Sequence, residues 1–389
     1  MEKAMVEING DVAEGFGLVA DAFTRNFDDH GEVGAAFCLY VDGTDVVDLW
    51  GGVADPATGG KWERNTLQVH FSTTKGVAAI CAAILHERGQ LDYETPVAAY
   101  WPEFAAGGKE AVTVAQCMSH QAGLAAVDSP LSLDEICDKE PVLRALEVQE
   151  PLWEPGTANG YHAITYGWIV GEIVKRVDGR PISQFLAEEI AGPLGIDSFI
   201  GLPESEEHRV APIIGAPPPD DQEEMEMMLS LMGPGTLGFR ALTMDGAIVM
   251  TDEQNPFNTR QVHAAEIPGA AGISEARALA RMYGACVSEV DGLRLIGDGT
   301  VRTVRAERSR GPDKTLVVEC AWGLGFMRTG EMNPMLTTES FGHPGAGGSQ
   351  AYGDLEHRVG FGYVMNQMGG NITGDPRAAS LTDAIRSCL

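Results

Sequence analysis

Ser72 and Lys75 stand one helical turn apart in the stretch Val69-His70-Phe71-Ser72-Thr73-Thr74-Lys75-Gly76. An apolar approach leads into this polar step and an Ala-rich run ending near Arg88 follows it, so Ser72 is expected at a helix N-terminus. Residues at this spacing share a helix face, which brings the lysine amine within reach of the serine hydroxyl and its proton. That is the chemistry of a Ser-x-x-Lys nucleophile. The N–H groups and positive dipole end of a helix start also favour an oxygen that develops negative charge beside Ser72. The plain structural reading of the same residues is a helix capped by Ser72 or Thr73, with Lys75 solvated in the first turn.

Two distant stretches carry further chemistry. In Pro155-Gly156-Thr157-Ala158-Asn159-Gly160-Tyr161-His162-Ala163, the Pro and Gly residues put Tyr161 on a loop ahead of an apolar helix that begins near Tyr166. A lysine nearby favours loss of the phenol proton, so Tyr161 can accept the serine proton or relay one to a leaving group. Its structural alternative is a tyrosine that anchors its loop by a hydrogen bond. In Ser340-Phe341-Gly342-His343-Pro344-Gly345-Ala346-Gly347-Gly348-Ser349-Gln350, glycines beside strand-forming residues suggest a sheet edge where another molecule approaches the backbone closely. The N–H of Ala346 is there a candidate second oxyanion donor, opposite that of Ser72, and His343, Gly345 and Gly347 are candidate substrate contacts. A phosphate loop is the rival reading, but no G-x-G-x-x-G pattern in a strand–helix context is present. A Ser-His-Asp triad is disfavoured, because Gly347-Gly348-Ser349-Gln350-Ala351 and Gly272-Ile273-Ser274-Glu275-Ala276 both fail the G-x-S-x-G pattern at its last position.

These stretches need a scaffold to bring them together. Val12 to Asn26 has helical apolar spacing, and Ala35 to Val41 and Asp45 to Trp50 read as strands joined at Asp42-Gly43, a hairpin signal. Helical patterns dominate from Ala78 to about Val304, with helices expected over Val77 to Arg88, Tyr166 to Val177, Ile182 to Ile190, Gln222 to Leu231 and Ser274 to Val290. Pro217, Pro218 and Pro219 mark a loop before the acidic Gln222 helix, whose Met225, Met227, Met228 and Met232 suit either ordinary packing or a permissive acyl pocket. Strands are expected again at Thr315 to Cys320, Gly323 to Arg328, Gln350 to Gly353 and Val359 to Asn366, before a last helix from Arg377 to Cys388. Strands at both ends imply one sheet shared by residues 1–80 and 310–389. Residues 81–309 then form a mostly helical domain, with room for parts of it to pack back on the sheet.

Composition narrows the function. A net charge of −29, from 56 acidic and 27 basic residues, argues against binding nucleic acid or an anionic membrane. Seven scattered cysteines without a C-x-x-C pair read as reduced thiols, and neither they nor the nine histidines show a metal-site spacing. No export signal or membrane-length apolar run is visible, so a cytoplasmic location is expected. Nothing calls for a cofactor or metal, and the expected partner is a small-molecule ester.

Taken together, Ser72-Thr73-Thr74-Lys75, Pro155-Gly156-Thr157 with Tyr161, and His343-Pro344-Gly345 resemble the motifs of the serine β-lactamase and penicillin-binding superfamily. With Ser119-His120-Gln121-Ala122-Gly123-Leu124 and Pro193-Leu194-Gly195-Ile196, they resemble more closely its class C β-lactamase-like esterases, the family VIII carboxylesterases. The likeness runs from about residue 30 to residue 367. It implies an α/β fold of β-lactamase/transpeptidase type, an antiparallel sheet flanked by helices, with Ser72 as nucleophile, Lys75 as its activator and Tyr161 as proton acceptor and donor. It also implies an oxyanion hole from the N–H groups of Ser72 and Ala346. Where the β-lactamases have Tyr-x-Asn this chain has Tyr161-His162-Ala163, and where they have Lys-Thr-Gly it has His343-Pro344-Gly345. Both departures weaken recognition of an anionic β-lactam and leave the acylation residues intact. The expected activity is hydrolysis of short- to medium-chain carboxylic esters through a Ser72 acyl-enzyme. The alternatives are a β-lactamase or peptidase/amidase on the same scaffold and a non-catalytic binding protein.

Overall fold

A computed structural model describes residues 6–217, 221–251, 254–330, 333–370 and 374–389. Asp42 and Gly43 both have positive φ, 46° and 80°, the geometry of a tight hairpin turn whose twist matches its strands. That hairpin, Gly34–Val41 with Thr44–Asp55, belongs to an antiparallel sheet of ten strands among the described residues. From one edge the order is Ile8–Val12, Thr44–Asp55, Gly34–Val41, Val359–Met365, Gln350–Asp354, Ser340–Pro344, Met327–Arg328, Glu319–Trp322 and Ser309–Pro312, with Gly60–Lys61 pairing beside Thr44–Asp55. The two ends of the chain therefore meet in mid-sheet, where Val359–Met365 pairs with Gly34–Val41.

One face of the sheet is covered by the helices Gly17–Asp29 and Pro376–Cys388, which bury Phe23 and Leu381 with Phe37, Tyr352 and Phe361 of the strands. The other face carries the helix Ala276–Val287, which lies across Val359–Met365, Gly34–Val41 and Gln350–Asp354. This helix belongs by sequence to the mostly helical middle of the chain, yet it packs on the sheet. Next to it runs the helix Thr73–Glu87, buried on every side from Thr73 to Leu85. A helix apolar all round must be interior, and its alanines (Ala78, Ala79, Ala82, Ala83) let it lie close both to the Ser340–Pro344 strand and to the helix Thr165–Asp178. The Ser72 stretch thus sits at the seam between the sheet and the helical part.

Several expected elements shift. The first helix spans Gly17–Asp29, since Val12 pairs in the edge strand Ile8–Val12. Thr315 to Val318 is a turn and the strand begins only at Glu319. Gly323 to Phe326 is likewise irregular, leaving Met327–Arg328 as strand. Ser340–Pro344 is not a sheet edge, because it pairs on both sides, with Met327–Arg328 and with Gln350–Asp354. Pro218, Pro219 and Asp220 and the side chain of Met227 lie outside the described residues. In the helix Gln222–Met232, Met228 is exposed and Met232 packs against the core. Among the described residues no helix is long and apolar enough to cross a membrane.

Candidate active site

Ser72 is delivered by a strained turn. Phe71 has φ of 43°, a left-handed conformation that costs a residue with a Cβ, and its ring is clamped edge-on to Phe257 at a centroid distance of 4.9 Å. The N–H groups of Thr73, Thr74 and Lys75 donate to the carbonyls of His70, Phe71 and Ser72 at 3.1, 3.0 and 2.9 Å, so the helix opens as a tight turn directly after the serine. The Thr74 hydroxyl donates to the Phe71 carbonyl and accepts the Gly272 N–H at 2.9 Å. That ties the turn to the small sheet formed by Gln68–Val69, Gly272–Ser274 and Ser198–Ile200.

Lys75 is fully buried, with Nζ 2.9 Å from Ser72 Oγ and donating to the Gly269 carbonyl at 2.7 Å. The same nitrogen stands 4.7 Å from the centroid of the Tyr161 ring. Burial holds the amine well below its ordinary value, because a charged ammonium here would be deprived of water. The sequence expectation of a serine and lysine on one helix face is met, but the lysine is not the solvated residue of the plain reading.

Tyr161 is held by a buried carboxylate far away in the chain. Its N–H donates to Asp313 Oδ1 at 2.9 Å, and that oxygen also accepts the N–H groups of Thr315 and Leu316, each at 2.9 Å. Asn159 donates to the other Asp313 oxygen at 3.2 Å. The phenol ring lies parallel to Trp322 (5.4 Å, 6°), is stacked on His343 (5.8 Å, 26°) and meets the edge of His120 at 5.1 Å. Burial pushes the phenol above its ordinary value, and the neighbouring Ser72 hydroxyl only partly opposes this.

The histidines of the site are neutral wall residues. His162 accepts the Leu124 N–H at Nε2 (2.9 Å) while its Nδ1 donates to the Gly160 carbonyl (2.6 Å), and burial holds it down at about 4. His343 donates from Nδ1 to the Pro344 carbonyl at 2.7 Å, and burial holds it down at about 3. It is 1% exposed and lies against Tyr161 and Trp322, which places it behind the phenol.

The glycine-rich turn is sewn to the Ser72 turn. A Cβ at Gly345 would stand 2.1 Å from Ser349 Oγ and 2.3 Å from the His70 carbonyl, and Ser349 Oγ itself donates to that carbonyl at 2.9 Å. Gly347 has φ of 80° and rests on the Met368 side chain. What approaches these glycines closely is therefore the chain's own backbone and side chains. Ala346, between them, is brought to the Ser72 end of the helix. Gly345→Ala is expected to destabilise the fold by about 1–3 kcal/mol through overpacking. A displacement of Ala346 by about 1 Å is expected to lower turnover by about 100-fold. Urea unfolding and steady-state kinetics check both.

A sequence profile of the beta-lactamase family matches residues 19–384. The chain belongs to the beta-lactamase family. Within the family it is 36% identical over 369 residues to the esterase/beta-lactamase LipL of Mycobacterium tuberculosis, covering 91% of this chain and 81% of LipL. The crystal structure of a family VIII carboxylesterase superposes with a TM-score of 0.88 at 39% identity, over 98% of this chain and 100% of that one. A penicillin-binding protein homologue from Caulobacter crescentus superposes with a TM-score of 0.86 at 38% identity, over 98% and 100%. As a member of the beta-lactamase family the chain is a serine hydrolase. Its family scaffold brings Ser72, Lys75, Tyr161 and the Gly345–Gly347 turn together from segments up to 275 residues apart, as 347 less 72 gives. Asp313, Trp322 and the Gly269 carbonyl complete the site and carry no motif. Asp313 is an aspartate in a Pro-Asp-Lys-Thr turn, and only the fold shows that it holds Tyr161.

Proposed function

We propose that this beta-lactamase-family chain is a carboxylesterase, hydrolysing short- to medium-chain esters through an acyl-enzyme on Ser72. The observation that supports it best is the Ser72 hydroxyl 2.9 Å from a buried amine and beside a buried phenol. A neutral Lys75 donates one N–H to the Gly269 carbonyl and has a lone pair that can take the serine proton across the 2.9 Å contact. Ser72 Oγ attacks the ester carbonyl as Lys75 takes that proton, and the N–H groups of Ser72 and Ala346 receive the oxyanion. Tyr161, kept protonated by its burial, donates to the departing alcohol and is reprotonated from Lys75. Water then attacks the acyl-serine by the reverse of this route.

Room for a substrate lies one layer of side chains away. A cleft of about 610 Å³ is lined by Ile213, Ile214, Met250, Asn255 and Met368, within the size range of small-molecule sites. Met368 lies under Gly347, and Phe257, between Asn255 and Asn258 of the cleft, packs on Phe71. The cleft is linked to the two turns through Met368 and Phe257, and its mixed lining suits an ester with a short or medium apolar chain. The seven cysteines, all unpaired thiols, support a reducing, cytoplasmic setting.

Kinship with a penicillin-binding protein homologue keeps a β-lactamase as the second reading. Against it, His343 is buried and held neutral where a cation would draw a β-lactam carboxylate, and both nitrogens of His162 are spent on the backbone. The chain's charge of −29 also repels anionic substrates. Rates on p-nitrophenyl butyrate and on a chromogenic cephalosporin are expected to favour the ester by about 100-fold or more in kcat/KM, a transition-state preference of about 3 kcal/mol. Faster turnover of the cephalosporin would reverse the assignment.

A further inference from the structure

Behind the glycine-rich turn lies a buried ionic cluster that none of the proposed chemistry uses. Arg377, in the first turn of the helix Pro376–Cys388, is 2% exposed. Its Nε and Nη2 grip Asp375 at 2.9 and 2.8 Å, and its Nη1 donates to Glu32 Oε1 at 3.1 Å and to the Gln367 carbonyl at 2.8 Å. The remaining Nη2 bond goes to the Gly347 carbonyl at 2.6 Å. Every N–H of the guanidinium thus has an acceptor, which leaves it no capacity to bind a ligand. Glu32 is itself anchored by the Tyr363 hydroxyl, from the strand Val359–Met365.

A buried ion cluster of this kind is a poor source of stability, since desolvation offsets most of the attraction. Burial pushes the Glu32 carboxyl up to about 7 even against the pull of Arg377, a sign of that cost. What the cluster does hold is one peptide plane. The Gly347 carbonyl receives Arg377 at 2.6 Å and the Gly369 N–H at 2.9 Å, at a residue whose φ of 80° makes it the pivot of the turn. At the turn's other end the Gly345 N–H donates to the Ser349 carbonyl at 2.6 Å. Ala346 lies between these two clamps. We infer that Arg377, locked by Asp375 and Glu32, is a positioning residue that sets the direction of the Ala346 N–H and so completes the oxyanion hole.

This inference rests on the hydrolase reading of Ser72, and the experiment separates the two. Wild type, Arg377→Lys and Glu32→Gln are titrated with a fluorophosphonate probe, and kcat, KM and the affinity for an alkylboronic acid are measured per reactive site. A lysine cannot span two carboxylates and two carbonyls, so Arg377→Lys is expected to lose about 10- to 100-fold in kcat, with KM within about threefold, and to lose boronate affinity by the same factor. Glu32→Gln keeps the guanidinium and its bond to Gly347 but loosens its seat, so a smaller loss, about three- to tenfold in kcat, is expected in the same direction. It carries the test if the lysine variant does not fold. A cluster that merely stabilised the fold would lower the melting temperature and leave kcat and boronate affinity per reactive site at the wild-type level; that result overturns the inference. Wild type that the probe does not label overturns the hydrolase reading itself, and the inference with it.

Discussion

Ser72→Ala is expected to lower turnover of p-nitrophenyl butyrate by about 10⁵- to 10⁶-fold, the scale seen when the nucleophile of a catalytic unit is removed. Alanine leaves the helix start intact, because the bonds that close the turn come from the backbone N–H groups of Thr73, Thr74 and Lys75. It deletes only the hydroxyl that Lys75 contacts, so stability should change by no more than about 1.5 kcal/mol. The variant should fold, keep its circular dichroism spectrum and take up no fluorophosphonate. Residual activity within tenfold of wild type would mean that another group forms the acyl bond.

Lys75→Arg should cost about 10³-fold in kcat, although it preserves a long basic side chain at the same place. The physical reason is the proton. Burial holds Lys75 well below its ordinary 10.5, so the amine can be neutral at working pH and accept from Ser72, whereas a guanidinium stays charged. The same burial predicts the pH profile of kcat/KM in the wild type. Activity should rise with pH as Lys75 loses its proton, through a limb well below 10.5, and stay level beyond it. No alkaline fall is expected before pH 10, because the Tyr161 phenol is pushed upward. Stability has a matching sign. A lysine depressed in the fold binds fewer protons folded than unfolded, so its contribution improves as pH climbs from the folded value towards 10.5. An acid limb close to 10 would show that Lys75 is an ordinary cation and that the proton goes elsewhere.

The part of this site that could be read in the chain is the part fixed by short-range geometry. Ser72 and Lys75 are one turn apart whatever surrounds them, and Asp42-Gly43 makes its hairpin from its own backbone preferences. The order of the motifs then indicated a scaffold able to gather Tyr161 and the glycine turn. Failures came where a side chain at a distance overrides local preference. Thr315 to Val318 has strand-forming residues, but Asp313 takes the N–H groups of Thr315 and Leu316 and Val317 goes to φ of 59°, so the stretch turns and only then joins the sheet. The Ile8–Val12 strand, Ile-Asn-Gly-Asp-Val, has almost no strand signal of its own and exists because Thr44–Asp55 offers it a free edge. His343 looked like a ligand contact because it lies in the glycine-rich stretch, and the stacking that buries it against Tyr161 and Trp322 involves residues far away in the chain. Asp313 and Arg377 were invisible for the same reason, since each acts on a backbone group that only the folded chain brings near.

The central claim is an acyl-enzyme on one serine. Wild-type protein mixed with p-nitrophenyl butyrate, quenched in acid within the first turnover and digested for mass spectrometry, should carry a single butyryl group on the peptide containing Ser72, and Ser72→Ala should carry none. A butyryl group on any other residue, or ester hydrolysis at full rate with no acylated peptide at any time point, would contradict it.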